Sequence, residues 1–321
     1  MTVCIKLPLH LKQMGQPDTC DHRSGWKHVI ESLKTKNGID GILVDDFVER
    51  TFQRQQEFHV WEEPWVGIFH HPPALPVWLD DTAPIQAIIS SAAFQKSLPQ
   101  LKGAVALSNH LESWIKNTLK VPTATIRHPT ELAADKFNFD LFTADEQRLI
   151  VQVGWYSRNT RAIYQLDVPD NYQKIHLLQP KPWVLDALDR IDRYSPHKFR
   201  EHIGIVELKE RLDDQQYDTL LARCVVFVEY FDVSASNTVI ECIARNTPLI
   251  VNRLPALVEY LGEDYPLFYE GLDQVKNFLR DDDRLMAASQ WLRHLDKSWL
   301  SVNVFSNQVL TFATDVMQAA I

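Results

Sequence analysis

Cysteine is scarce in this 321-residue chain: Cys4, Cys20, Cys224 and Cys242 are scattered, and no CxxC pair occurs. That spacing supports neither a zinc site nor a redox motif. Cys224 and Cys242 lie in apolar stretches and read as buried thiols in a reducing compartment. Long apolar runs are also missing. None approaches the roughly 18–20 residues that a membrane helix needs. The opening MTVCIKLPLHLKQMG lacks the apolar core and small-residue cleavage site of a secretory signal, so a cytoplasmic protein is expected. There is no basic surplus either: 33 lysines and arginines stand against 42 acidic residues, a net charge of −9. This argues against general nucleic-acid binding, which needs a basic face to replace counterions. It also argues against tight docking on an anionic membrane, while leaving open peripheral contact and a small basic pocket for a diphosphate. HExxH, GxSxG and GxxxxGK(S/T) are all absent, which removes three familiar routes to hydrolysis and nucleotide binding.

What is present is enough apolar material, 45% of residues, for two medium-sized cores. Strand-like and helix-like segments alternate, the pattern of an α/β protein with parallel sheets. In the first half, strands are predicted at 3–7, 41–44, 65–69, 104–107 and 123–126, and 12–23 reads as a loop. Ser24 suits the N-cap of a helix carrying Val29, Ile30 and Leu33. Ser108 opens another with Leu111, Ile115 and Leu119 on one face. The prolines of His70-His71-Pro72-Pro73 stop the strand before them. Residues 130–147 are charged, show no period and read as a linker. The second half predicts five strands, at 149–153, 174–178, 203–206, 225–228 and 248–251, as in a doubly wound nucleotide-binding domain. In the tail, Phe305, Val309, Phe312 and Val316 form a core-facing helical stripe.

The chemistry concentrates in residues 217–262. A buried strand (CVVFV) leads through a short loop to a helix opening at Ser236, Asn237 and Thr238. A helix start offers free N–H groups and a favourable dipole to an anion, and these three side chains can cap it or bond phosphate oxygens. Glu241 falls one turn in, roughly opposite the apolar face of Val239, Ile240 and Ile243. It reads either as an exposed glutamate favoured by the dipole or as a carboxylate that grips ribose hydroxyls.

The segment ECIARNTPLIV, 241–251, resembles the donor-binding motif of retaining "group 1" glycosyltransferases of the GT-B fold, EA(M/I)A-x-G-TP(V/L)(I/V). Arg245-Asn246 departs from it, and the family's glutamate eight residues earlier falls on Val233, with Asp232 beside it. A second match is IVQVGWYSRNTR, 150–161, where family members end a strand in glycine and follow it with cations for the donor diphosphate. A third is EPWVGIFHHPP, where the family often places a histidine at the interdomain cleft. Segments FHxPP, VGWxxR and NTxIECIxRNTP also resemble those of bacterial glycosyltransferases.

The resemblance implies two Rossmann-like domains facing each other across a cleft. Residues 1–140 would be the acceptor-side domain, 141–300 the nucleotide-sugar donor domain, and 301–321 a C-terminal helix packing on them. It implies an EC 2.4, hexosyltransferase-like enzyme of polysaccharide biosynthesis, acting on a glycan, lipid or other small acceptor with retention. No metal or cofactor is implied beyond the nucleoside diphosphate sugar as co-substrate. Gly154, Arg158, Arg161, Ser236, Asn237, Thr238 and Glu241 would bind the donor. His70 and Glu241 would be catalytic, Asp232 and Ser234 would contact the sugar, and Ser24, Gly25 and Trp26 would lie on the acceptor side. Arg158 and Arg161, three apart, would share a helical face; as surface residues they would instead be solvated arginines. His71 reads as a structural turn residue, and His128-Pro129-Thr130 as a strand-end loop. The acidic groups Asp45-Asp46, Asp80-Asp81, Asp213-Asp214 and 281–283 do not form a DxD at a strand end, as a metal-dependent GT-A enzyme would need, and read as surface acids or caps. Two alternatives stay open: an epimerase on the same fold, and a non-catalytic partner or scaffold.

Overall fold

The computed structural model describes residues 9–12, 25–34, 42–53, 59–79, 84–132, 134–195, 203–210 and 212–319. The expected segment at 3–7, most of the 12–23 loop, Ser24 and the pair Asp80-Asp81 lie outside these. The chain divides into two compact units. One comprises Met1–Ala74, Asp81–Glu131 and Ser298–Ile321; the other comprises Leu75–Asp80 and Leu132–Lys297.

The first unit is built on a wholly parallel sheet of β1 (Leu9–Lys12), β2 (Ile42–Asp45), β3 (Trp65–Phe69), β4 (Leu101–Ala106) and β5 (Thr123–Thr125), in that spatial order. Parallel strands are covered on both faces, so β2 and β3 are buried along their whole length. Leu43, Val48, Trp65, Phe69, Phe94, Leu111 and Ile115 share one core. The helix Asn109–Leu119 starts where Ser108 accepts a hydrogen bond from the Leu111 N–H at 3.3 Å. The last helix, Val302–Gln318, buries Phe305, Val309 and Val316. Its half-buried Phe312 ring reaches the backbone of β4 at Gly103, where a Cβ would lie 3.0 Å from the ring, so a larger residue would push the helix away.

The second unit carries a second wholly parallel sheet: β6 (Arg148–Val153), β7 (Tyr172–Leu177), β8 (Val206–Lys209), β9 (Cys224–Val228), β10 (Leu249–Asn252) and β11 (Phe268–Tyr269). The order is β11-β10-β9-β6-β7-β8. That is the doubly wound Rossmann order, whose direction reverses between its first and fourth strands, here β6 and β9. Cys224 and Cys242 are buried free thiols, and burial pushes both up from the ordinary thiol range. Leu75 and Leu79 pack on Ile191, and Trp78 meets Phe231 edge-on at 5.2 Å.

Four expectations need correction. Among the described residues this sheet has six strands rather than five, since two-residue β11 is too short to show a pattern. The strand expected at 203–206 lies at Val206–Lys209, because Ile203 and Ile205 are exposed, not core. Residues 130–147 are not featureless: Asn138 caps the helix Phe139–Ala144 by accepting from the Leu141 N–H, and Phe137 and Phe142 are buried. Asp45 and Asp46 are not surface acids; they are 1% and 3% exposed. Asp213 and Asp281 do cap helices, the first through a full capping box with Gln216.

Candidate functional site

Rossmann sheets bind ligands outside the carboxyl ends of their strands, where the strand order reverses. In the second unit that point lies between β6 and β9, and the turns after both strands meet there. β6 is followed by Gly154, whose φ of +77° lies in the left-handed region that favours glycine. The missing side chain is used as well: a Cβ there would lie 3.3 Å from the Arg158 guanidinium carbon, so the guanidinium lies close against the glycine.

Arg158 is held on several sides. Its Nη1 donates to the Tyr156 carbonyl at 2.8 Å. Its Nη2 donates to Ser236 Oγ and Thr238 Oγ1, both at 3.1 Å. Its guanidinium lies 5.2 Å from the Tyr230 ring centroid, and the Tyr230 hydroxyl is 2.5 Å from Ser236 Oγ. A short antiparallel bridge between Arg158 and Tyr230 ties the two turns together. Arg158 Nε is buried without a partner, as is Thr160 Oγ1 in the same turn, while His176 on β7 has its Nδ1 3.2 Å from the Tyr164 hydroxyl. Burial holds His176 down to about 4, with Arg161 and Arg158 adding to the effect, so it is neutral at pH 7.

The helix Asn237–Arg245 begins beside that guanidinium. Ser236, at its N-cap, makes no side-chain bond to the helix backbone. Its hydroxyl is committed instead to Arg158 and Tyr230, which leaves the first-turn N–H groups without the usual cap from this residue. A guanidinium, two hydroxyls and a helix N-terminus thus converge on one point, a combination suited to a phosphate group. Among the described residues, no group of three or more His, Cys, Asp or Glu side chains is placed to hold a metal ion.

Other expected donor residues lie apart from this point. Arg158 and Arg161 do not share a helical face, because the helix Ala162–Gln165 begins only after Arg161. Arg161 instead grips Asp192 with two bonds, 2.9 and 2.6 Å. Glu241 is 2% exposed rather than pointing to solvent. Its Oε2 accepts from the Tyr217 hydroxyl at 2.5 Å. One turn on, Arg245 is fully buried and donates to Asp218 Oδ1 at 2.5 Å. The whole helix from Thr238 to Arg245 is enclosed, so the apolar stripe of Val239, Ile240 and Ile243 marks only part of its buried surface. Asn237 is half-buried. Asp232 and Ser234 are buried, and Asp232 Oδ1 accepts from the Val233 N–H at 2.8 Å within its own loop. Two contributors had no signal in the motif comparison. Tyr230 backs Arg158, and Glu229 accepts from Asn159 Nδ2 at 2.9 Å. Their position directly after a buried strand was the available clue.

The first unit brings Trp26 and His70 together. Their rings meet edge-on at 4.3 Å, and Phe47 stacks on the other side of His70 at 3.9 Å. His70 Nε2 lies 3.1 Å from the Asp46 carbonyl. A carbonyl can only accept, so Nε2 carries the proton and Nδ1 is the acceptor. Burial lowers the His70 pKa well below the usual histidine value, and holds His128 down to about 4. Glu49 Oε1 accepts from the backbone N–H of both His70 and His71, each at 2.8 Å, while its Oε2 is buried without a partner. Trp26 Nε1 donates to Asp46 Oδ2 at 2.7 Å. Gly25 is buried, and its carbonyl accepts from the His28 N–H. Desolvation raises Asp45 and Glu49 to about 7. His128 Nδ1 lies 2.6 Å from the Pro129 carbonyl in the loop expected there.

No protein-family model matches the sequence, and no curated protein matches it. Solved structures do share its fold. A UDP-forming α,α-trehalose-phosphate synthase from Burkholderia xenovorans aligns with a TM-score of 0.53 at 12% identity, covering 92% of this chain and 79% of that one. WaaG, a glycosyltransferase involved in lipopolysaccharide biosynthesis, aligns at 0.54 and 12%, covering 90% and 81%. Anabaena HepE, solved in complex with UDP and glucose, aligns at 0.51 and 11%, covering 80% and 71%. At such identities the likeness is one of fold: α/β, with two Rossmann-like domains, as in GT-B glycosyltransferases.

Proposed function

We propose that the protein is a glycosyltransferase whose second unit holds a nucleoside diphosphate sugar. One observation carries the reading. At the reversal point of a Rossmann sheet, Arg158 lies against Gly154 and is bonded to Ser236 and Thr238 at the start of the Asn237–Arg245 helix. Support also comes from the fold, which is shared with a UDP-forming synthase and with a protein solved with UDP and glucose.

In this reading the diphosphate displaces the Ser236 and Thr238 hydroxyls from Arg158 or joins them. The guanidinium and the first-turn N–H groups stabilise the negative charge that builds on the leaving diphosphate, the part a metal ion plays elsewhere. Arg161 contributes once it leaves Asp192. Asn237 lies at the same helix start, while Asp232 and Ser234 lie in the loop before it, on the sugar side. Glu241 acts from behind, through Tyr217 and the seating of the helix. His70 serves the sugar through its Nδ1 acceptor, and Gly25 and Trp26 serve the acceptor. We assign retention of configuration, with the leaving oxygen taking the acceptor's proton, and a place in glycan assembly in the cytoplasm.

A non-catalytic role draws on a different observation: Arg161 and Glu241, two of the expected donor ligands, are already engaged by Asp192 and Tyr217. One experiment separates the readings. The purified protein is screened for thermal stabilisation by a panel of nucleoside diphosphate sugars, and the stabilising ones are assayed for release of nucleoside diphosphate with and without added acceptors. Stabilisation with turnover supports the enzyme. Stabilisation without turnover supports a non-catalytic nucleotide-binding protein, and no stabilisation by any nucleotide contradicts the donor site and supports the partner or scaffold role.

A further inference from the structure

The second unit ends in an open sheet edge. Among the described residues, β8 is the outermost strand and pairs only with β7, with Lys209 beside Leu177. The Lys209 carbonyl accepts from the Leu178 N–H at 2.9 Å. Backbone groups alternate along a strand, so Glu207 and Lys209 bond inward. Val206 and Leu208 turn their N–H and C=O groups to the open edge. Such an edge is a template for another strand, and natural proteins usually cover it or break it. Here two apolar side chains stand in the open: Ile205, just before the strand, is 91% exposed, and Leu208 is 51% exposed.

The charges on this edge are arranged symmetrically about Leu208. Glu207 and Lys209 share one face of the strand, 3.4 Å apart, with Gln173 Nε2 donating to Glu207 at 2.6 Å. We infer that β8 pairs, antiparallel, with β8 of a second copy of this chain about a two-fold axis through Leu208. Leu208 then faces the partner's Leu208, and the outward N–H and C=O groups of the two are exchanged. Glu207 faces the partner's Lys209, and Lys209 faces the partner's Glu207. Each charge therefore has opposite charges both along its own strand and across the pair. A parallel arrangement would set like charges against each other at both positions, which fixes the direction. The same patch meets itself, as a closed two-fold interface requires.

The test is sedimentation equilibrium of the full chain over a range of concentrations. The wild type is expected to show a monomer–dimer equilibrium. Glu207→Lys alone and Lys209→Glu alone each set like charges face to face twice, and each is expected to weaken the dimer by about tenfold or more. The double exchange restores the opposite pairs, and with them the dimer. A covalent check fixes the register. The two Leu208 Cα atoms would lie about 5.5 Å apart, within disulfide range, so Leu208→Cys should cross-link under mild oxidation. Ile205→Cys, about 20 Å from its counterpart at strand rise, should not. A wild type that is monomeric at every concentration overturns the proposal. So does a dimer indifferent to the single exchanges or not restored by the double one, or a dimer that Leu208→Cys fails to cross-link.

Discussion

At the scale of single residues, the two units treat their buried ionisable groups differently. In the second, Arg158 donates to two hydroxyls and a carbonyl, and Arg245 donates to a carboxylate. In the first, burial pushes Asp45 and Glu49 up to about 7. Their ordinary values are 3.8 and 4.5, so between about pH 4 and pH 7 the folded state binds more protons than the unfolded chain. Stability from these groups therefore falls as pH rises through that window and levels off above it. His128 works the other way: held down to about 4 against an ordinary 6.5, it makes stability rise from pH 4 to 6.5. Glu49→Gln keeps an acceptor for the two N–H groups but has no proton to lose. Its melting temperature relative to wild type should be higher at pH 8 than at pH 5, by calorimetry; an offset that is the same at both pH values would contradict the assignment. The burial of Asp45 and Asp46 could not be read from a bare pair of aspartates. What buries them is distant in sequence: Trp26 donates to Asp46, and Trp61 donates to Asp45 at 3.0 Å.

At the scale of elements, the strands of the second unit were legible because parallel strands buried on both faces leave continuous apolar runs such as CVVFV. The Ser236 helix was legible from its capping residues and from TPLIV beyond it. Its surroundings were not. A stripe of Val239, Ile240 and Ile243 implies an exposed opposite face, yet polar residues of the Asp214–Leu221 helix meet that face and enclose it: Tyr217 takes Glu241, and Asp218 takes Arg245. Buried pairs of this kind are costly to break singly, because the survivor is left charged and unpaired. Arg245→Met should destabilise the protein by about 3–5 kcal/mol in chemical denaturation. Adding Asp218→Leu should recover most of that loss, since replacing both partners by apolar groups is often neutral. A double variant no better than the single would show that the pair is not the main contribution of these two residues. The pairing of Arg161 with Asp192 was likewise hidden, because the two are 31 residues apart and nothing in IVQVGWYSRNTR foretells the partner.

At the scale of the whole molecule, two parallel sheets came from strand–helix alternation, and the tail stripe from its period of 3–4. Strand order did not, because pairing between distant strands leaves no local mark, and it is strand order that locates the site between β6 and β9. Among the described residues, no helix is long and apolar enough to cross a membrane. The proposed anion site lies in the turns after β6 and β9, centred on Arg158. Calorimetric titration of nucleoside diphosphates into wild type and Arg158→Ala tests it most directly. At least one nucleoside diphosphate should bind the wild type and bind the variant at least about tenfold more weakly, the loss expected when a charge-assisted hydrogen-bond donor is removed. Equal affinity in the two proteins, or no binding of any nucleoside diphosphate to the wild type, would contradict it.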